Sequence, residues 1–199
     1  GLPTGGTTGQ VLRKSSATDY DAAFANPFPG GTLPMPIGFY KSPYATTTAQ
    51  TVIANTVYYQ PLFVPNPITV SQLTVFTTVV TTSGTVRLGI YTDLAGAPNS
   101  LVVDAGTVSY SASSTSYTAS LTTALSPGLY WFAAVQQTGS STWTGFAAVV
   151  TTAQVQRVAT LTSTTLYPFY TQSNVSGALP ATTSGLTLSS TAGIRIMVT

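Results

Sequence analysis

The chain has 199 residues and a net charge of +2, and charged side chains make up 5% of it, against about 25% in an average soluble protein. So little charge predicts neither a nucleic-acid interface nor adsorption to an anionic membrane, and no apolar run approaches the roughly 20 residues that span a bilayer. The sequence contains no His, Cys or Glu, which excludes His-activated nucleophiles and thiolate metal sites. We therefore expect a protein that is not an enzyme and holds no cofactor or metal.

Residues 1–26 are predicted to form an extended N-terminal arm. Glycines in it permit positive φ or close backbone approach, and an arm of this length cannot bury its own apolar side chains. We expect attachment to neighbouring copies or to other proteins through Leu2, Gly5, Gly6, Gly9, Val11, Leu12, Tyr20 and Phe24. Inter-chain ion pairs, each worth roughly 0–1 kcal/mol if exposed, would join Arg13 and Lys14 to Asp19 and Asp21. The alternative is a flexible tether that is ordered only where it attaches.

Residues 27–47 are predicted to be a connector. Four prolines between positions 27 and 36 exclude a helix and favour extended or turning backbone. The aromatic residues Phe28, Phe39, Tyr40 and Tyr44 favour a connector that lies on protein rather than a free, solvated linker. The N terminus lacks the basic start and apolar stretch of a secretory signal, so we expect none.

The sequence from 48 to 199 is typical of an antiparallel β-sandwich. Threonine, at 38 residues, is abundant together with Val and Tyr, and β-branched and aromatic side chains suit a pleated sheet. Turn residues recur about every ten positions, as in sandwiches and barrels. We predict strands near 50–60, 69–80, 85–92, 101–110, 115–123, 128–136, 143–150, 155–162, 165–171 and 186–198, with turns that include Ser83-Gly84, Gly96-Ala97-Pro98-Asn99 and Thr138-Gly139. The predicted fold class is all-β.

The distribution of apolar residues predicts which strand faces build the core. Val86, Leu88 and Ile90 alternate with less apolar neighbours, which indicates one buried face. Two segments, 70–80 and 129–135, are apolar on both faces. Such strands are usually central or face another subunit, and these two suggest burial between subunits.

The carboxylates offer little for catalysis. Asp93 lies in a predicted loop, where we expect it to cap the turn; the alternative is a calcium or sugar contact. Asp93 and Asp104 are the one pair that a hairpin would bring together. Glycoside hydrolysis needs two carboxyl groups about 5 Å or about 6.5–9.5 Å apart, but with four Asp in the chain an enzyme is not expected.

Aromatic residues in the C-terminal half are the remaining candidates for recognition. Exposed aromatic rings stack on sugars, and we predict a glycan contact at Trp143, which follows a Ser/Thr/Gly loop, and at Tyr167 and Tyr170. The alternative for each is core or inter-subunit packing. Core packing is the prediction for Trp131, within the apolar run LYWFAAV.

Two stretches resemble a known family. Residues 1–27, GLPTGGTTGQVLRKSSATDYDAAFANP, are similar to the G-L-P-x-G-G-T-T-G-Q-V-L-x-K-x-S-x-T-D-Y-D segment of bacteriophage tail-fibre and head-fibre proteins. The departure is Ala23-Phe24, where family members usually carry a Trp. Residues 54 to about 135 resemble a jelly-roll-like sandwich module of phage fibre tips, a pattern that also occurs in some secreted bacterial proteins.

The resemblance implies a virion appendage on the exterior of a phage particle. It implies a homotrimer that is joined to other virion proteins through the arm and contacts host-surface polysaccharide through the sandwich. Two alternatives remain open at this point. One is a purely structural head or collar fibre or capsid decoration protein, and the other is a secreted carbohydrate-binding module.

Overall fold

A computed structural model describes residues 11–18, 21–25, 47–146, 169–189 and 193–199. Within these ranges the protein consists of antiparallel strands, turns and irregular segments, without a helix. The chain divides into two units, Gly1–Met35 and Pro36–Thr199. The division falls inside the predicted connector.

The described part of the first unit is a hairpin. Strand β1 (Val11–Lys14) pairs antiparallel with β2 (Ala22–Ala25), and Ser15 N donates a hydrogen bond of 2.9 Å to Asp21 O at the closed end. The predicted arm is therefore folded back on itself over these residues. A two-stranded ribbon is marginally stable at best when isolated in water.

The second unit is an antiparallel β-sandwich, which confirms the predicted fold class. Nine described strands join in one hydrogen-bonded network. In chain order they are β3 (Thr47–Thr51), β4 (Val57–Val64), β5 (Ile68–Leu94), β6 (Ala97–Tyr110), β7 (Thr115–Leu125), β8 (Gly128–Phe146), β9 (Tyr170–Gln172), β10 (Thr187–Leu188) and β11 (Ile196–Val198).

Two long strands, β5 and β8, run through both layers of the sandwich. The first layer has the order β10-β9-β4-β8-β5-β6 and uses the N-terminal half of β8 and the C-terminal half of β5. In the second layer, the N-terminal half of β5 lies between β7 and β11, and the C-terminal half of β8 pairs with β3. Segments 70–80 and 129–135 thus lie in central strands, which is one of the two alternatives that their apolar faces indicated.

The predicted turns at Ser83-Gly84 and Thr138-Gly139 are wrong, because both lie inside continuous strands. They mark the place where β5 and β8 bend together from one layer to the other. A Cβ on Gly84 would collide with the carbonyl of Thr138, and Gly139 has a φ of 82°. Glycine is needed there for close approach and for positive φ. The two glycines therefore do mark a change in chain direction, but the change is a bend within a strand and not a turn between strands.

Other boundaries also differ from the prediction. The predicted strand 50–60 is interrupted between β3 and β4 by a turn with Asn55 at a φ of 59°, and the β5–β6 hairpin turns at Ala95-Gly96, both with positive φ. Residues 97–99 belong to β6 rather than to the turn. Predicted strand 155–162 and most of 165–171 lie outside the described residues. Of 186–198, only β10 and β11 are strands among the residues described.

The main core lies between the two layers. Val86, Leu88 and Ile90 of β5 are fully buried in it, as their alternation predicted. Its other buried members come from every part of the sandwich and are Val52, Tyr58, Val64, Val70, Leu73, Val75, Tyr110, Ala119, Leu125, Phe132, Ala134, Trp143, Ile194 and Ile196.

Candidate functional site

The outer face of the first layer carries a second apolar cluster. Its buried members are Val57, Tyr59, Tyr91, Trp131, Ala133, Val135, Val175 and Leu179. The last two belong to residues 173–183, a segment that follows β9 across this face and is called the strap below. Residues 131–135 of the segment 129–135 are therefore buried on both faces, and their second face is covered by the chain's own strap. The inter-subunit burial suggested for this segment is not needed to explain it.

The strap is fixed to the sheet by close packing and by backbone hydrogen bonds. Leu179 packs directly over Gly89, where any Cβ would collide with its side chain. Further along, Leu101 N of β6 donates to Ala181 O at 2.9 Å. These contacts extend the edge of the first layer by one short, irregular element.

Asp104 anchors the strap to β6. Its two oxygens accept hydrogen bonds from Arg87 Nε at 2.8 Å each, and further bonds come from Gly106 N at 2.9 Å and Leu179 N at 3.1 Å. The side chains of Arg87 and Asp104 are only 22% and 19% exposed. Each oxygen of the carboxylate therefore accepts two hydrogen bonds from structural partners.

Four aromatic rings lie together beneath and beside the strap. Tyr59 and Tyr91 meet edge to face with ring centroids 5.3 Å apart, and Trp131 and Tyr170 meet in the same way, also at 5.3 Å. Such T-shaped pairs are a favoured geometry for aromatic rings. Trp131 packs within the cluster, so its predicted structural role is confirmed.

The hydroxyl groups of the two central tyrosines are used internally. Tyr59 donates to Gln172 Oε1 at 2.9 Å, and Tyr91 donates to Pro180 O of the strap at 2.8 Å. Burial disfavours the charged phenolate. It raises the pKa of Tyr91 to about 12 and also raises the pKa of Tyr59.

Asp93 caps its turn and also holds Trp131. Its Oδ2 accepts a hydrogen bond from Gly96 N at 3.1 Å, as expected for a turn-capping Asp, and its Oδ1 accepts one from Trp131 Nε1 at 2.8 Å. Asp93 and Asp104 thus have separate structural partners.

Trp143 does not lie at the surface, so its prediction as a glycan contact is wrong. It is 0% exposed in the core, and its Nε1 donates to Ser141 Oγ at 2.7 Å. Ser141 Oγ in turn donates to Gln136 Oε1 at 2.6 Å. The Ser/Thr/Gly sequence before Trp143 is not a loop but the bend of β8, which turns the indole inward.

The remaining predicted contacts have different outcomes. Tyr167 lies outside the described residues. Tyr170 is half-buried against Trp131, so part of its surface stays accessible. Close to this cluster, Phe63 of β4 is 64% exposed. The sequence prediction missed Phe63 because it ended the strand at residue 60. The turn residues Pro65-Asn66-Pro67 could have indicated that the strand continues to about residue 64.

The hairpin of the first unit brings two predicted attachment residues together. Leu12 lies directly opposite Phe24 in the β1–β2 register, and Leu12 is 41% exposed while Phe24 is half-buried. Directly opposite residues share one face of a ribbon. Val11 forms part of β1, and Leu2, Gly5, Gly6, Gly9 and Tyr20 lie outside the described residues.

The outer face of the second layer is rich in hydroxyl groups. Thr74 and Thr118 are joined Oγ1 to Oγ1 at 2.8 Å, and Thr78 and Thr142 at 2.6 Å. Phe76 is half-buried among them. A shallow depression on this face is lined by Phe76, Thr144, Arg195 and Met197.

Some kinds of site are not found in the described part of the chain. It contains no group of three or more metal-ligating side chains of the His, Cys, Asp and Glu types. It also contains no helix with the length and apolar character needed to cross a membrane. No protein-family model matches the chain, and no curated protein matches it significantly.

Proposed function

We propose that the chain is a bacteriophage virion fibre protein, a trimeric tail fibre or receptor-binding protein on the exterior of the particle. The sandwich contacts glycan on the host surface, and the N-terminal unit attaches the protein to other virion proteins. The resemblance of residues 1–27 to phage fibre segments supports this function.

The observation that carries the proposal is the apolar pair on the hairpin. Leu12 and Phe24 share one face of a two-stranded ribbon, and Leu12 remains 41% exposed. A ribbon of this size gains independent stability only by packing against further strands or another surface. Association with neighbouring copies and virion proteins supplies that surface.

The sandwich supports the second half of the proposal. Its side chains provide mainly hydroxyl groups and aromatic rings and few charges. Hydroxyl groups and aromatic rings are the groups that contact uncharged polar ligands such as glycans. Tyr170 and Phe63 present accessible ring surface beside the covered part of the sheet. Side chains that are already held by packing lose less conformational entropy when a ligand binds.

The test is the location of the chain in purified phage particles. Mass spectrometry should find it in the particle, antibody labelling should place it at the tail, and its native mass should be that of three chains. A head or collar location would replace the receptor-binding function by a structural one. A soluble chain absent from particles would overturn the proposal.

A pair of variants tests the hairpin itself. Leu12→Asp places a charge on the face shared with Phe24, and we expect it to abolish incorporation into particles. Ala23→Asp places the same charge on the opposite face of the same ribbon, opposite Arg13, and should leave incorporation intact. Equal behaviour of the two variants would contradict attachment through the apolar pair.

A further inference from the structure

One end of the first layer combines an exposed ring with a carboxylate on neighbouring strands. Phe63 of β4 lies directly opposite Leu129 of β8. The register that pairs Thr92 with Tyr130 places Asp93 of β5 beside Leu129 on the other side. Residues directly opposite in antiparallel strands share a face, so Phe63, Leu129 and Asp93 form a row across the outer face.

This row lies at the open end of that face. Phe63 is 64% exposed, and Leu129 and Asp93 are half-buried. The ring of Phe63 and the side chain of Leu129 provide a small apolar floor. Tyr170, which packs on Trp131, is half-buried on the same face.

Asp93 is held in position by two donors and has no cationic partner among the described residues. Trp131 Nε1 and Gly96 N each occupy one of its oxygens, and a carboxylate accepts about four hydrogen bonds in all. Among the described residues, the ion pair found in the sandwich joins Arg87 to Asp104 and leaves Asp93 without a cation. Asp93 therefore keeps acceptor capacity beyond its two structural hydrogen bonds.

We propose that the row Phe63–Leu129–Asp93 is the binding site for a neutral hexose unit of a polysaccharide. A pyranose ring has an apolar C–H face, which packs on Phe63 and Leu129, and ring hydroxyls, which donate to Asp93. A sugar carboxylate is disfavoured because it would meet the like charge of Asp93. The inference rests on the proposed contact with host glycan, and it names the site and the ligand class.

Affinity electrophoresis of the full chain tests the site. The probes are dextran, mannan and galactomannan as neutral polymers and polygalacturonate as the acidic one. We expect at least one neutral polymer to retard the chain and polygalacturonate to have no effect. Retardation by none of the neutral polymers, or by the acidic polymer alone, overturns the inference.

Variants assign the binding to the row. Asp93→Asn should weaken binding roughly tenfold through loss of a charged hydrogen-bond acceptor, and Phe63→Ser should weaken it to a similar extent. Ile53→Ser is the matched control, because Ile53 is 66% exposed and lies away from the row. Since Phe63 is also largely exposed, its variant should keep the unfolding temperature of the parent. Undiminished binding by a folded Phe63→Ser variant would place the site elsewhere and refute the assignment.

The binding test and the particle test fail separately. A chain that is incorporated into particles but binds no neutral polymer contradicts the hexose site alone. A chain that binds through Phe63 and Asp93 but is absent from particles contradicts the virion function alone.

Discussion

The two outer faces of the sandwich differ in how they meet their surroundings. The first layer has aromatic residues on its outer face; the strap covers Tyr59, Tyr91 and Trp131, and its Pro180 O accepts a hydrogen bond from the hydroxyl of Tyr91. The second layer has threonines on its outer face, joined to one another by hydroxyl hydrogen bonds, with Phe76 half-buried among them. The first face is therefore a second core, whereas the second is a surface. In a chain with so few charged residues, the share of apolar residues in a strand does not by itself distinguish a covered face from a surface.

The largest expected effect on stability is the difference between two variants, each of which lacks one aromatic side chain on one of the two outer faces. Trp131→Ala should lower the free energy of unfolding by about 3–5 kcal/mol, the range for truncating a buried aromatic residue. Phe76→Ala should cost only about 1 kcal/mol, because its ring is half-buried. Denaturant titration of both variants measures the difference. Equal losses would show that the two faces are buried alike.

The cover of the first face can be tested at Leu179. Leu179→Ala should lower the free energy of unfolding by about 2–3 kcal/mol, because it opens a cavity over Gly89. The strap should also become more sensitive to limited proteolysis. Leu188→Ala is the control at a leucine that is 38% exposed, and it should cost less than about 1 kcal/mol. A loss at Leu179 no greater than that at Leu188 would mean that the strap contributes little to the fold.

The features that the sequence predicted correctly are those that depend on residues close together along the chain. The alternation at Val86, Leu88 and Ile90 identified the inward face, because side chains in a strand alternate with a period of two. The turn-capping position of Asp93 could also be predicted, because it depends on a hydrogen bond to a residue three positions away. The same local reasoning identified 129–135 as covered on both faces.

What covers that segment could not be predicted, because it depends on contacts between distant residues. The bond from Leu179 N to Asp104 spans 75 positions, and nothing in residues 173–183 resembles a strand or a helix. For the candidate site, Tyr170 was identified but Trp143 was misplaced. A glycine that lets two strands bend together looks the same in sequence as a glycine in a hairpin loop, and this difference decides whether the indole of Trp143 points outward or inward.

The protonation of tyrosines has a smaller effect on stability, and this effect has opposite signs in the two layers. Burial raises the pKa of Tyr91 from about 10 to about 12, so the folded state retains a proton that the unfolded state loses. This contribution is fully present below pH 10 and is lost as the pH rises from about 10 to about 12. Tyr91→Phe should cost about 1 kcal/mol at neutral pH, through loss of the bond to Pro180, and should reduce the loss of stability in that window.

Tyr117 of β7 is the control with the opposite sign. Hydrogen bonds donated by Ser111 N and Ala112 N to its hydroxyl oxygen lower the pKa of Tyr117. A lowered pKa favours the folded state at alkaline pH, so Tyr117→Phe should not reduce the alkaline loss. Unfolding titrations at pH 8 and pH 11 compare the two variants. A Tyr117→Phe protein that resists alkali as well as Tyr91→Phe would contradict the assignment of the effect to the first layer.

The smallest expected effect is at Thr78, on the hydroxyl-rich outer face of the second layer, and its buried neighbour Thr77 provides the comparison. Thr77 is buried, and its hydroxyl donates to Ala112 O at 2.8 Å, so Thr77→Val should cost about 1 kcal/mol through loss of that bond. Thr78 points outward, and Thr78→Val should change stability by no more than about 0.5 kcal/mol. Denaturant unfolding at two protein concentrations makes the comparison sharp. If the two variants lost equal stability only at the higher concentration, the outer face of the second layer would be buried by association between copies. The second layer would then resemble the first in having a cover, but the cover would be supplied by another chain.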